Sequence, residues 1–225
     1  KVYLYNIIQL MKSQNDIALE QYIRAHIDDE PELLKELNRQ AHITLLHPRM
    51  LSGHIQGRIL KMCMRMIQPQ RVLEIGTYTG YSALCIAEGL QDNAHLDTIE
   101  INDELEPKIR TFFNKSEHGH KISLHIGDCL QLIPQFPYMF DVVFIDGNKR
   151  HYIDYYEAAM SKLNSRGFIF VDNTLWDGHV IDKHIEATDF QTQGIIAFNT
   201  HVKQDTRVET AIFPIRDGIT VLYKK

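Results

Sequence analysis

The stretch Phe140–Asn173 reads FDVVFIDGNKRHYIDYYEAAMSKLNSRGFIFVDN and contains two apolar runs that each end in acid. Phe140 to Ile145 leads to Asp146, and Gly167 to Val171 leads to Asp172-Asn173. Short runs this rich in Val, Ile and Phe read as strands buried in a parallel sheet. Between them, Tyr152 to Leu163 has the length and apolar spacing of a crossover helix, and Gly167 punctuates the return to strand. A right-handed crossover keeps both strands in one sheet, pointing the same way. Asp146, Asp172 and Asn173 are therefore expected to emerge together at the carboxyl edge, where open α/β sheets hold their ligands. Three oxygen donors converging there suit a hard divalent cation of the Mg²⁺, Mn²⁺ or Ca²⁺ type.

The same alternation runs outward from this stretch. Strands are expected over 71–76, 95–101, 121–127, 140–146, 167–172, 209–214 and 219–223, with helices over 81–90, 103–115, 152–163 and 178–187. The pattern predicts a doubly wound, Rossmann-like α/β sheet of seven strands, mostly parallel. The short turn Pro214–Gly218 makes the last two strands an antiparallel pair at one edge. Residues 1–70 read as an N-terminal helical extension to this 71–225 sheet core. Asp28-Asp29-Glu30-Pro31-Glu32 is a helix start followed by an apolar stripe at Leu33, Leu34 and Leu37. A break is expected over Pro48–Gly57, and then a helix over Ile59–Ile67 whose Met62, Met64 and Met66 read as adaptable core. There is no internal repeat, low-complexity stretch or linker, so 1–225 is read as one domain.

Composition narrows the setting. Of 225 residues, 44% are apolar and 24% charged, which suits one globular domain. No apolar run is long enough to span a bilayer and no leader is legible, so no membrane partner is expected. Cys63, Cys85 and Cys129 lack metal or redox spacing and read as buried thiols of a reducing, cytoplasmic setting. A net charge of -5 argues against nonspecific nucleic-acid binding, although Arg49, Arg58, Lys61, Arg65 and Arg71 are candidates for a local basic patch. His118-Gly119-His120 reads as a solvated turn.

The first strand runs into Gly76-Thr77-Tyr78-Thr79-Gly80, a turn that lets a ligand approach the backbone. Its Gly-x-x-x-Gly spacing lacks the Gly-x-Gly-x-x-Gly that seats a dinucleotide pyrophosphate, which argues against an oxidoreductase. Glu74 interrupts an apolar strand, where an unpaired carboxylate is costly, so a ligand carrying positive charge or donors would compensate it. Glu100 ends the second strand about 20 residues past the glycine turn, where doubly wound folds bind ribose hydroxyls. Asp128-Cys129, after Gly127, form either a backbone turn at a purine edge or a plain turn.

Taken together, VLEIGTYTGYS, TIEIN, GDCL, FIDGNK and FVDNTLWDG resemble, in order and spacing, the metal-dependent S-adenosylmethionine O-methyltransferases of the catechol and caffeoyl-CoA type. That family includes bacterial enzymes that methylate 5-hydroxyuridine in tRNA. The resemblance runs from about Met50 to the C-terminal PIRDGIT and covers most of the chain.

The resemblance implies a division of labour. Glu74, Gly76, Thr77 and Ser82, with Ser52 from the preceding loop, would hold the methionine part of S-adenosylmethionine. Glu100 would take the ribose, and Asp128 and Cys129 would border the adenine. Asp146 would serve both cofactor and metal, with Asp172 and Asn173 completing the protein's share of a Mg²⁺ (or Mn²⁺ or Ca²⁺) site. Lys149 would stand beside the accepting oxygen and, desolvated near a cation, take its proton with a lowered pKa; alone, it reads as a surface lysine at a helix start. Trp176 lines either the acceptor pocket or the core. Two departures speak against catechol itself. Gly147-Asn148 replace a bulkier pair, and no late acid aligns cleanly, Glu209 being the nearest. The acceptor is expected to be a small catechol-like or phenolic molecule, with a hydroxylated uridine in tRNA as the alternative. A non-catalytic S-adenosylmethionine-binding module is the contrasting reading, and it needs none of the metal residues. The N-terminal helices are the expected surface of a homodimer.

Overall fold

The computed structural model describes residues 17–45 and 50–225, so expectations resting on 1–16, Pro48 or Arg49 lie outside the described residues. The helices are α1, described over 17–25, α2 (Glu32–Thr44), α3 (Gly53–Ile67), α4 (Tyr81–Gly89), α5 (Glu106–Lys115), the single turn α6 (Cys129–Leu132), α7 (Tyr152–Lys162) and α8 (Phe190–Gln204). The strands are β1 (Arg71–Ile75), β2 (His95–Glu100), β3 (Ile122–Ile126), β4 (Phe140–Ile145), β5 (Leu163–Val171), β6 (Val208–Phe213) and β7 (Ile219–Lys224). They form one seven-stranded sheet in the order β3-β2-β1-β4-β5-β7-β6. The first five strands pair in parallel, and β7 runs antiparallel to both β5 and β6 at one edge.

Side chains alternate across the sheet, so each strand feeds two cores. Val72, Leu96, Val142 and Phe144 pack with Leu60, Met64, Ile86 and Phe112 from α3, α4 and α5. Leu73, Ile75, Val143 and Ile145 pack on the other face with Tyr152, Tyr156 and Phe198 from α7 and α8. The order reverses between β1 and β4, which opens a crevice beyond their carboxyl ends. Gly76 closes that crevice tightly. Its φ is +97°, and a Cβ there would lie 2.2 Å from the Asp146 carbonyl oxygen.

Several expectations need correction. The helix expected over 178–187 does not form. Trp176–Ile181 is a 3-10 segment broken at Asp177 (φ 51°) and Gly178 (φ 86°), and the helix lies later, at α8. Asp189 caps α8 by accepting from Thr192 N at 3.1 Å, and Thr192, Ile195, Phe198 and Val202 supply its buried stripe. The break expected over Pro48–Gly57 gives way to α3 from Gly53, because Gly57 lets α3 approach α4, with a Cβ position 2.6 Å from Cys85 Sγ. Strand β5 begins at Leu163, before Gly167. Of the three methionines of α3, only Met64 is core, while Met62 and Met66 are exposed. The three cysteines are free and buried, as expected. Among the described residues no helix is long and apolar enough to cross a membrane.

Candidate active site

Successive strand ends bring the acids together. Asp146 N donates to the Ile75 carbonyl and Asp172 N to the Ile145 carbonyl, each at 2.9 Å, so the residues following β4 and β5 step across the crevice beside β1. The Asp172 side chain is nearly buried, at 3% exposure. Its Oδ1 accepts from Asn173 N at 2.7 Å and its Oδ2 from Gln56 Nε2 at 2.5 Å. Burial and then the Asp146 charge raise the Asp172 pKa, so two carboxylates repel each other in a dry place. Asn173 adopts a left-handed backbone (φ 59°), and its Nδ2 donates to Asp217 Oδ2 at 3.3 Å. Two carboxylates and an amide oxygen on neighbouring strand ends are a hard-oxygen donor set that a divalent cation fits, and its charge would relieve the repulsion.

Lys149 is buried too and donates to Asp146 Oδ1 at 2.8 Å and to the Gly147 carbonyl at 3.1 Å. Burial alone would lower its pKa, but Asp146 and Tyr152 outweigh that and the net direction is upward. The lowered pKa expected for Lys149 is thus not found in this state of the chain; the residue is an ammonium ion paired with Asp146. Its Nζ lies 5.1 Å from the Tyr152 ring centre and 6.0 Å from that of half-buried Trp176, which places Trp176 at the site rather than in the core.

The glycine turn forms the other half. A narrow cleft is lined by Met50, Ser52, Gly76, Thr77, Ser82 and Asp146, among others. Glu74 is fully buried; Thr98 Oγ1 donates to its Oε2, while its Oε1 has no hydrogen-bond partner among the described residues. Burial above all pushes its pKa up to about 8, with the Asp146 and Glu100 charges adding to the rise and Ser82 and Thr98 opposing it. The Thr79 hydroxyl is likewise buried without a partner among the described residues. Two orphaned polar groups beside one cleft fit a ligand that brings donors or positive charge. Thr77 donates its hydroxyl to Thr98 at 2.6 Å and its amide to the Ile99 carbonyl at 3.2 Å, so acceptor lone pairs are what it offers the cleft. Glu100 accepts from Tyr78 N at 2.6 Å and Asn102 N at 2.9 Å, which fixes the carboxylate while each oxygen keeps a lone pair. Gly127 N donates to the Glu100 carbonyl at 2.8 Å, bringing Asp128 and buried Cys129 alongside; Asp128 caps α6 through Leu130 N.

Every site residue expected from sequence therefore falls on this edge or in its glycine cleft. Glu209 does not: it is exposed on β6, the outermost strand, and the late acid beside Asn173 is Asp217. Sequence reasoning also missed Gln56 and Tyr152, whose hydroxyl donates to the Asp172 carbonyl at 3.0 Å. Gln56 had left a signal, a polar residue in register with Leu60 and Cys63 on the buried stripe of α3.

This chain and its fold match known proteins. The O-methyltransferase family profile fits residues 24–225, and the chain belongs to that family. A caffeoyl-CoA O-methyltransferase of Petroselinum crispum is 31% identical over 221 residues, covering 91% of this chain and 89% of the relative. Caffeoyl-CoA O-methyltransferase 2 of Zea mays is 32% identical over 207 residues, covering 85% and 76%. Among solved structures, the SAH-bound methyltransferase PaMTH1 of Podospora anserina superposes with a TM-score of 0.86 at 25% identity, over 94% of this chain and 96% of that one. The O-methyltransferase TomG of Streptomyces achromogenes, solved with SAM, gives 0.85 at 25% identity, over 92% and 96%.

Proposed function

We propose that the chain transfers the methyl group of S-adenosylmethionine to a hydroxyl of a small catechol-like or phenolic acceptor, with a divalent cation, Mg²⁺ in the first place, at Asp146, Asp172 and Asn173. The observation that carries the reading is the succession of Asp146, Lys149 and Asp172-Asn173 at adjoining strand ends, next to a glycine turn where buried Glu74 keeps one carboxylate oxygen unpaired among the described residues. Glu74, Gly76, Thr77, Ser82 and Ser52 would hold the methionine part, Glu100 the ribose, and Asp128 and Cys129 the adenine.

S-adenosylmethionine supplies an electrophilic methyl, and a divalent ion, when bound, lowers the pKa of a coordinated hydroxyl and fixes its direction. The chain's own contribution is alignment and charge. The cleft residues hold one reactant while the strand-end acids fix the other, which serves an in-line transfer. Lys149, kept as an ammonium by Asp146, donates toward the accepting oxygen and favours its anionic form. Half-buried Trp176 would wall the acceptor space with aromatic surface, while fully buried Tyr152 packs beside Lys149.

A small acceptor is favoured over tRNA by two observations. The Petroselinum crispum and Zea mays relatives are named for caffeoyl-CoA. Of the candidate basic patch, Arg58 and Lys61 are both bound to Glu88 at 2.6 Å, and Arg71 stacks on Tyr138. A homodimer through the N-terminal helices is supported by exposed Ile17, Leu19, Tyr22, Ile43, Met62 and Met66, and a cytoplasmic setting by the free, buried thiols.

The test is transfer from labelled S-adenosylmethionine, in Mg²⁺, to a panel of dihydroxyphenols and separately to tRNA carrying unmethylated 5-hydroxyuridine. Labelling of the phenols supports the reading. Labelling of tRNA at far lower acceptor concentration would replace the acceptor, and labelling of neither would favour a cofactor-binding module.

A further inference from the structure

We infer that the turn joining β6 to β7 is the positioning element of the cation site, with Arg216 and Asp217 fixing the two amides, Gln56 and Asn173, that set its donors. The inference rests on the cation reading above. Gln56 is 1% exposed and gives its Nε2 to Asp172 Oδ2 at 2.5 Å. A primary amide has a donating and an accepting end, and only the donating end attracts a carboxylate. Arg216 decides which end faces Asp172. Its Nη1 donates to Gln56 Oε1 at 3.4 Å and to the Leu51 carbonyl at 3.1 Å, and a guanidinium can only donate.

Asp217 does the converse for Asn173. Its Oδ2 takes the Asn173 Nδ2 at 3.3 Å, leaving the amide oxygen, the atom a hard cation would bind, without a partner among the described residues. The turn is itself fixed to the chain just after Asn173. The Asp217 carbonyl accepts from Leu175 N at 2.7 Å and the Gly218 carbonyl from Thr174 N at 3.1 Å. Gly218 (φ 84°) permits this closeness, since a Cβ there would lie 2.4 Å from Leu175 Cγ. Two adjacent residues of opposite charge thus orient two amides of opposite sense around Asp172, and such outer partners pre-set ligand geometry.

The experiment uses Mn²⁺ as the probe, its affinity read by electron paramagnetic resonance on the full chain, with S-adenosylmethionine affinity measured by calorimetry. Q56L is expected to weaken Mn²⁺ by about 10- to 100-fold while S-adenosylmethionine affinity stays unchanged. Arg216 is exposed, so R216M spares the core; it should weaken Mn²⁺ in the same direction, and R216K, which keeps a donor, should restore part of the loss. Wild-type Mn²⁺ affinity in both Q56L and R216M would overturn the inference, as would parallel loss of both ligands. A wild-type chain that binds no Mn²⁺ would overturn the cation reading and this inference with it.

Discussion

The Lys149 ammonium donates to Asp146 Oδ1 across 2.8 Å, joining the proposed catalytic cation to the acid proposed to serve both cofactor and metal. The pair is largely removed from water, with side-chain exposures of 11% and 17%. If Lys149 acts on the accepting oxygen, K149M should lower turnover by about 10²-fold or more while S-adenosylmethionine affinity holds. Steady-state kinetics beside calorimetry check this; unchanged turnover would reduce Lys149 to a structural partner of Asp146.

Gly76 and Gly178 separate close approach from backbone strain. Both have positive φ, but a Cβ at Gly76 would meet the Asp146 carbonyl at 2.2 Å, whereas one at Gly178 meets nothing within 4 Å among the described residues. G178A should therefore cost only the conformational term, about 1 kcal/mol. G76A should cost more than about 3 kcal/mol, because backbone must move, and should abolish cofactor binding. Urea unfolding of the two variants is the measurement, and equal costs would contradict the packing described.

Glu74 makes stability depend on pH. Its folded pKa, pushed up to about 8 chiefly by burial, exceeds the ordinary value of 4.5. The protonated form is thus the one the fold prefers; its contribution is complete below about pH 4.5 and is lost as pH rises through about 8. Asp172 shifts in the same direction. Cofactor-free wild-type protein should lose stability between about pH 5 and about pH 8, by at most about 1.4 kcal/mol per pH unit for each group, and E74Q should flatten the slope. Denaturation across that range decides it, and a slope identical in E74Q would contradict the burial argument.

The cap of α8 gives a prediction away from the chemistry. Asp189 accepts from both the Thr192 amide, at 3.1 Å, and its hydroxyl, at 2.6 Å. D189A should cost about 1 kcal/mol of stability and leave S-adenosylmethionine affinity intact.

The carboxyl edge was legible in the sequence because the strands that build it are continuous apolar runs with acid at their ends. Asp146, Asp172 and Glu100 could be placed from periodicity alone, and the resemblance supplied their roles. What escaped was tertiary. Gly57 reads locally as a breaker, yet it is the contact point of α3 against Cys85. The exposed 182–189 stretch carries helix formers without a buried face, so propensity placed a helix ahead of the stripe that fixes α8. The ionisation of Lys149 depends on a partner three residues away that a sequence shows but cannot orient. Gln56 meets Asp172 across a sequence separation of 116 residues, a contact only the folded chain makes.

The most direct test of the account is methyl transfer by wild-type and D172A enzyme in Mg²⁺, in EDTA, and after Mg²⁺ is restored, with S-adenosylmethionine affinity measured alongside. Wild-type transfer is expected to stop in EDTA and return with Mg²⁺, and D172A enzyme to bind S-adenosylmethionine normally but transfer nothing. Transfer that persists in EDTA, or in D172A, would contradict it.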